Sequence, residues 1–248
     1  MSKLKRSSAV IIAAVLAGTA VPVIASADTT YGSTGTITYT PSTAVTPPVD
    51  PQDPTVPVTP VTPNPTDPSN PGTPNPGTAG PLSIDFASSF DFGQQEITSV
   101  DKVYDAAAQS LSDGSTRTNY VQVTDNRGTL AGWSLNVEAT DFTNGGTGAG
   151  STLTGAQITL GDAQIASASS TPADVYSAST VLTPNVASAT ILGATAGNGA
   201  GTSLLDFGGT DGANKATAVT LSVPGSTTKL AGAYTSNLTW TLSDVPAS

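Results

Sequence analysis

From Leu82 onward the chain is broken every few residues by turn signals such as "DGST", "DNRG", "TNGGTG", "GNGAG" and "GGTDGANK", and the pieces left between them are short runs of alternating apolar and polar residues. An amphipathic helix needs about ten or more uninterrupted residues with apolar positions three and four apart, whereas a strand needs only five or six with period two. This punctuation predicts an all-β domain over residues 82–248, with strands at "LSIDF", "NYVQVTD", "GWSLNVEA", "AQITLG", "STVLTPN", "ATAVTLSV" and "YTSNLTWTL". The alanines of "DKVYDAAAQSL" would suit a helix, but its surroundings are strands and it is read as extended. The expected architecture is an antiparallel β-sandwich, immunoglobulin-like, with seven or more strands in two sheets.

Upstream the character changes. Residues 41–81 hold fourteen of the nineteen prolines and have no aromatic residue, lysine or arginine. Frequent proline biases such a stretch toward the polyproline II form, and it has too few apolar side chains to bury a core, so it reads as a disordered, solvated Pro-rich linker. Residues 28–40, with "GTITYT", alternate like a short N-terminal strand that has too little around it to fold alone. Residues 1–27 carry Lys3, Lys5 and Arg6, then an apolar run, then Ala25-Ser26-Ala27, the pattern of a secretory signal peptide cleaved near Ala27. The mature chain is expected outside the cell.

Chemistry is narrowed by what the chain lacks. There is no cysteine and no histidine, which removes disulfides, Cys or His metal sites and every Ser-His-Asp arrangement. Without the leader, five cations face eighteen acids, a net charge of −13. Nucleic acid and direct membrane binding are therefore not expected, since both rely on Lys and Arg meeting anionic groups. Asp206 and Asp211 in "DFGGTDGANK" miss the spacing of a calcium loop, and Asp85, Asp91 and Glu96 are a carboxylate cluster of a kind any acidic domain contains. No enzyme activity, cofactor or metal is expected. Lys102, Lys215 and Lys229 read as solvated rather than as partners in an isopeptide crosslink.

Two stretches single themselves out by a shared pattern. In "GWSLNVEA", Trp133, Leu135, Val137 and Ala139 share one strand face; in "YTSNLTWTL", Tyr234, Leu238, Trp240 and Leu242 do. Each contains Trp-x-Leu, and these are the only two tryptophans. The second lies in a longer run of Tyr234, Leu238, Thr239, Trp240, Leu242 and Pro246. Here the chain resembles the WxL-domain surface proteins of low-GC Gram-positive bacteria, whose C-terminal pattern Y-x-x-x-L-T-W-x-L-x-x-x-P is filled at every specified position. "PLSIDFASSFDFGQQEI", "NYVQVTDNRGTLAGWSLNV" and the Pro-rich lead-in with "GTITYTP" also look like that family's layout.

The resemblance implies non-covalent attachment to cell-wall peptidoglycan through a C-terminal WxL domain, residues 82–248, on the surface of a Gram-positive bacterium. It also implies other WxL proteins and a membrane-anchored WxL-interacting protein as partners, and leaves open a second role, as a protein-interaction subunit of a surface complex or a host-matrix adhesin. The end of the chain, "LSDVPAS", has no LPxTG-type sorting signal, which fits non-covalent attachment. For Trp133 and Trp240 two readings stand. Alternation favours burial, with the two rings meeting across sheets. The other reading is an exposed platform for stacking on glycan. Tyr104, Tyr120, Tyr176 and Tyr234 are further ring-plus-hydroxyl candidates.

Overall fold

The computed structural model describes residues 29–64 and 71–248, so the expected signal peptide lies outside the described residues. The described residues fall into two units, divided between residues 38 and 39. Residues 29–38, the described part of the first, are exposed and hold no strand, because an isolated alternating run has no neighbour to complete its hydrogen bonds. The second unit is all-β, as expected, and has no helix among its described residues. "DKVYDAAAQSL" is not helical, but it is not one strand either: Lys102–Asp105 and Gln109–Ser110 are strands of two different sheets, and the alanines 106–108 between them lie in neither.

Among the described residues this unit has sixteen strands, and all their pairings are antiparallel. One four-stranded sheet runs in the order β10 (Ala163–Ser167), β14 (Gly201–Phe207), β7 (Asn119–Asp125), β3 (Leu82–Ala87). A second runs β11 (Asp174–Val175), β13 (Leu192–Ala194), β8 (Trp133–Ala139), β16 (Leu238–Ser243), and a third β12 (Thr180–Leu182), β9 (Gln157–Leu160), β15 (Val219–Val223), β4 (Lys102–Asp105). Two small ribbons complete it: β1 (Val49–Asp50) with β2 (Asp53–Pro57), and β5 (Gln109–Ser110) with β6 (Thr116–Arg117). The inward residues of all three large sheets share one core, among them Val121, Val123 and Leu205 from the first, Trp133, Leu135 and Leu192 from the second, and Ile158, Leu160 and Leu221 from the third. The core thus takes one sheet more than the two expected.

Strand β7 is buried along its whole length, which alternation alone does not predict. Val121 and Val123 face the main core, while Tyr120 faces a second small cluster with Phe86, Ala166 and Leu204, against which Val49 packs. Val49 belongs to the segment read above as a solvated linker. Part of that segment, from Pro47 to Thr62, is instead seated on the body. A proline-rich chain offers carbonyl acceptors but few N–H donors, so a surface that holds it must supply side-chain donors. Gln122 does so: its amide Nε2 donates to the Pro47 carbonyl (3.1 Å) and to Asp85 Oδ2 (2.9 Å), and its Oε1 accepts the Val49 N–H (2.8 Å). Gln109 Nε2 donates to the Val61 carbonyl (2.8 Å), and the Arg117 guanidinium grips both oxygens of Asp50 at 2.7–2.8 Å. Further on, the Thr78 N–H donates to the Ile84 carbonyl (2.8 Å), running alongside β3.

Asp206 lies on β14, directly opposite Tyr120, and is fully buried, ahead of the glycine-rich turn that follows it in "DFGGTDGANK". Neither of its carboxylate oxygens has a partner among the described residues. Burial, with the Asp50 charge nearby, pushes its carboxyl up to about 8. Burial likewise raises Asp85, opposed by hydrogen bonds from Thr124, Ser83 and Gln122.

Two outcomes follow. A chain beginning at Leu82 uncovers Phe86, Leu204 and Asp206, and chemical denaturation should show it less stable than the full chain by roughly 2–4 kcal/mol from the apolar area alone. An unfolded aspartate ionises near 4. Asp206 therefore leaves the fold unpenalised below that pH, and the penalty grows as pH rises above about 4, because only the unfolded chain then gives up the proton, and levels off near 8. Melting temperature should fall over this range in the wild type, and Asp206→Asn should flatten the fall; an equally steep fall in the variant would contradict the assignment.

Candidate functional site

The two Trp-x-Leu units occupy neighbouring strands of one sheet. On β8 the alternation is strict: Trp133, Leu135, Val137 and Ala139 are buried, while Ser134, Asn136 and Glu138 are half-exposed. On β16, Leu238, Trp240 and Leu242 lie opposite Ala139, Val137 and Leu135, so all seven residues share a face. Those three β16 side chains pack against the main core yet stay partly exposed, and Thr239 and Thr241 face solvent. The two tryptophans do not meet across sheets, because the Leu135–Leu242 pair separates them within one sheet.

Trp133 is fully buried, and its indole N–H donates to the Gly199 carbonyl (3.1 Å). That approach depends on glycine. Gly199 has a φ of +83°, and a Cβ there would lie 2.7 Å from the indole nitrogen and collide with the Ala194 Cβ. Gly132, at φ +81°, is as tightly placed: a Cβ would meet the Ala194 carbonyl at 2.5 Å and Pro246 at 3.0 Å. Pro246 therefore packs over the start of β8. The next residue, Ala247, is buried and donates its N–H to the Ala194 carbonyl (3.1 Å), tying the chain end to β13.

At the other end of the pattern, the Tyr234 hydroxyl accepts the Leu230 N–H (2.9 Å) and donates to the Gly150 carbonyl. Its ring packs against the main core. Trp133, Leu135, Leu238, Trp240 and Leu242 are thus brought onto one sheet face, Tyr234 and Pro246 brace its two ends, and Thr239 points away. Of the other tyrosines, Tyr120 is buried and Tyr104 partly buried against the core.

Strand β16 is also the edge of its sheet. The Thr140 N–H donates to the Asn237 carbonyl (2.9 Å), which places the odd-numbered residues of β16 in hydrogen-bonded pairs with β8. The even-numbered residues Leu238, Trp240 and Leu242 then turn their N–H and C=O groups outward. No partner for these groups occurs among the described residues.

The remaining candidates do not gather into a second site. Asp91 accepts the Gly93 N–H (2.8 Å) and Asp211 the Ala213 N–H (3.0 Å), ordinary turn contacts. No group of three or more acidic residues placed to hold a metal occurs among the described residues. Lys229 donates to the Pro224 and Thr227 carbonyls at 2.9 and 3.0 Å, not to a carboxyl or carboxamide. Gly199, Gly132 and Gln122 were missed in the sequence; the first two lie in glycine-rich stretches that read as generic turns, and Gln122 sits on a strand position that reads as solvent-facing.

A family model described as WxL domain surface cell wall-binding matches residues 26–246. No curated protein and no solved structure matches the chain.

The unequal burial of the two tryptophans predicts unequal costs. Trp133→Ala should lose roughly 3–5 kcal/mol in urea unfolding, whereas Trp240→Ala on the edge should lose about half as much. Gly199→Ala should destabilise comparably to Trp133→Ala, since it forces the indole from its place. Equal costs at the two tryptophans would show Trp240 to be as much a core residue as Trp133.

Proposed function

The chain belongs to the WxL domain surface cell wall-binding family, matched over nearly its whole length, and from this premise we propose that it attaches non-covalently to peptidoglycan at the outer face of the wall. The family match carries this reading. The body offers no Lys- or Arg-rich surface and the chain is strongly acidic, so attachment rests on hydrogen bonds and ring stacking rather than on opposite charge. Within the family pattern the residues differ in what they offer a glycan. Trp133 and Leu135 hold the core and have no free surface. Trp240, on the edge strand, stays partly exposed, and is the residue we assign to glycan contact.

The second reading, that the chain acts through protein partners at the surface, is favoured by the open edge of β16, which suits a protein strand better than a sugar. The function we infer involves no catalysis.

Pelleting the exported full chain with sacculi stripped of protein and teichoic acid separates these readings. Direct attachment predicts sedimentation with the sacculi, reduced severalfold in a Trp240→Ala variant that retains its circular dichroism spectrum. A wild-type chain that stays in the supernatant but sediments once surface proteins are restored supports the second reading. On sacculi that keep their anionic wall polymers, binding should strengthen as salt is added, because like charges are screened; a steady fall with salt would contradict attachment by an acidic body against an acidic wall.

A further inference from the structure

Open sheet edges are usually blunted by charge, by proline or by a covering segment. Most edges here are. Strand β4 carries Lys102 and Asp105, β3 is flanked by the Thr78 pairing, β10 lies against β2, and β11 and β12 have two and three residues. Strand β16 differs: six residues long and uncharged, it has three outward N–H and C=O pairs without a partner among the described residues and three partly exposed apolar side chains.

The same chain contains a segment with the complementary properties. Residues 35–40, "GTITYT", are exposed, form no strand and have no hydrogen-bond partner among the described residues. Ile37 is 75 % and Tyr39 84 % exposed, unusual for large apolar side chains that alternate with threonines. In extended form Ile37 and Tyr39 share one face and Thr36, Thr38 and Thr40 the other, the pattern of Leu238, Trp240 and Leu242 against Thr239 and Thr241. Both stretches have high β-propensity. Charge selects the occupant further. The mature chain is strongly acidic, so two copies repel, yet residues 29–46 contain no charged side chain and neither does β16. The two can meet without bringing acids together.

We propose that residues 35–40 of one copy add as a strand to the β16 edge of a second copy, laying Ile37 and Tyr39 beside Trp240 and pairing with the outward backbone groups of Leu238, Trp240 and Leu242. Strand and edge are different surfaces, so the contact is heterologous and repeats: each copy that donates a segment still has an open edge, and the copies form a chain along the surface. This goes beyond attachment to the wall and does not depend on it. Trp240 would then be covered by protein within such a chain and open to glycan only at its end.

Sedimentation velocity of the exported full chain over a concentration series tests this. The wild type should show species growing beyond a dimer, and growth should increase with salt. Ile37→Asp/Tyr39→Asp, at exposed positions where folding is not at stake, should be monomeric. Leu238→Pro removes an outward N–H while keeping the ladder to β8, and should be monomeric alone but form a one-to-one complex with the double aspartate variant. Should Leu238→Pro not fold, a synthetic peptide of residues 34–40 decides: in excess it should slow hydrogen exchange at Leu238, Trp240 and Leu242 by at least about tenfold. A wild type that is monomeric throughout, a double aspartate variant that associates like the wild type, or edge amides unchanged by the peptide would each overturn the proposal.

Discussion

The body is organised around one alternating strand. Because β8 turns Trp133, Leu135, Val137 and Ala139 inward without interruption, it fixes which face of its sheet meets the core, and through pairing it fixes the register of β13 and β16. A slip of one residue would turn every one of these side chains to the wrong face. The Trp133 indole adds a constraint that period two cannot supply, since its N–H must reach the Gly199 carbonyl in a space left open by the absence of a Cβ. Pro246 and Ala247 then close the chain end against Gly132 and β13, so the family pattern spans the element that sets the register and the segment that locks it.

A second constraint lies on the opposite face of β7. Tyr120, Gln122, Thr124 and Asp206 form a polar layer that would face water in a simple sandwich, and the proline-rich segment covers it. The fit is chemical as well as steric. Proline removes backbone donors, the side-chain amides of Gln109 and Gln122 supply donors to the segment's carbonyls, and the Arg117 guanidinium holds its Asp50 carboxylate. The layer is not fully satisfied: Tyr120 OH and both Asp206 oxygens lack partners among the described residues, so ionising Asp206 works against the cover.

Structure separates two roles that the shared Trp-x-Leu spelling conceals. Trp133 sits in a central strand with neighbours on both sides, and Trp240 in an edge strand with a neighbour on one. The same Trp-x-Leu pattern is therefore architecture in one place and an accessible surface in the other, and the attachment and self-association proposed above both draw on the second.

Much was legible along the chain. The β class, the non-helical state of "DKVYDAAAQSL", the bounds of β7, the position of β8 to within a residue, and the common orientation of Trp240 and Leu242 follow from short periods and turn residues, which are local properties. Strand β14 was hidden, because "GTSLLDF" runs between glycine-rich loops and places Asp206 where apolar residues are expected. The seating of residues 47–62 was hidden as well: composition reports whether a segment can bury a core of its own, not whether another part of the chain has a face and donors prepared for it. Which tryptophan is central and which lies on an edge was decided only by sheet order, since strands adjacent in space, β8 and β16, are about a hundred residues apart in sequence, and pairing at that distance is set by the mutual fit of faces rather than by anything either strand carries alone.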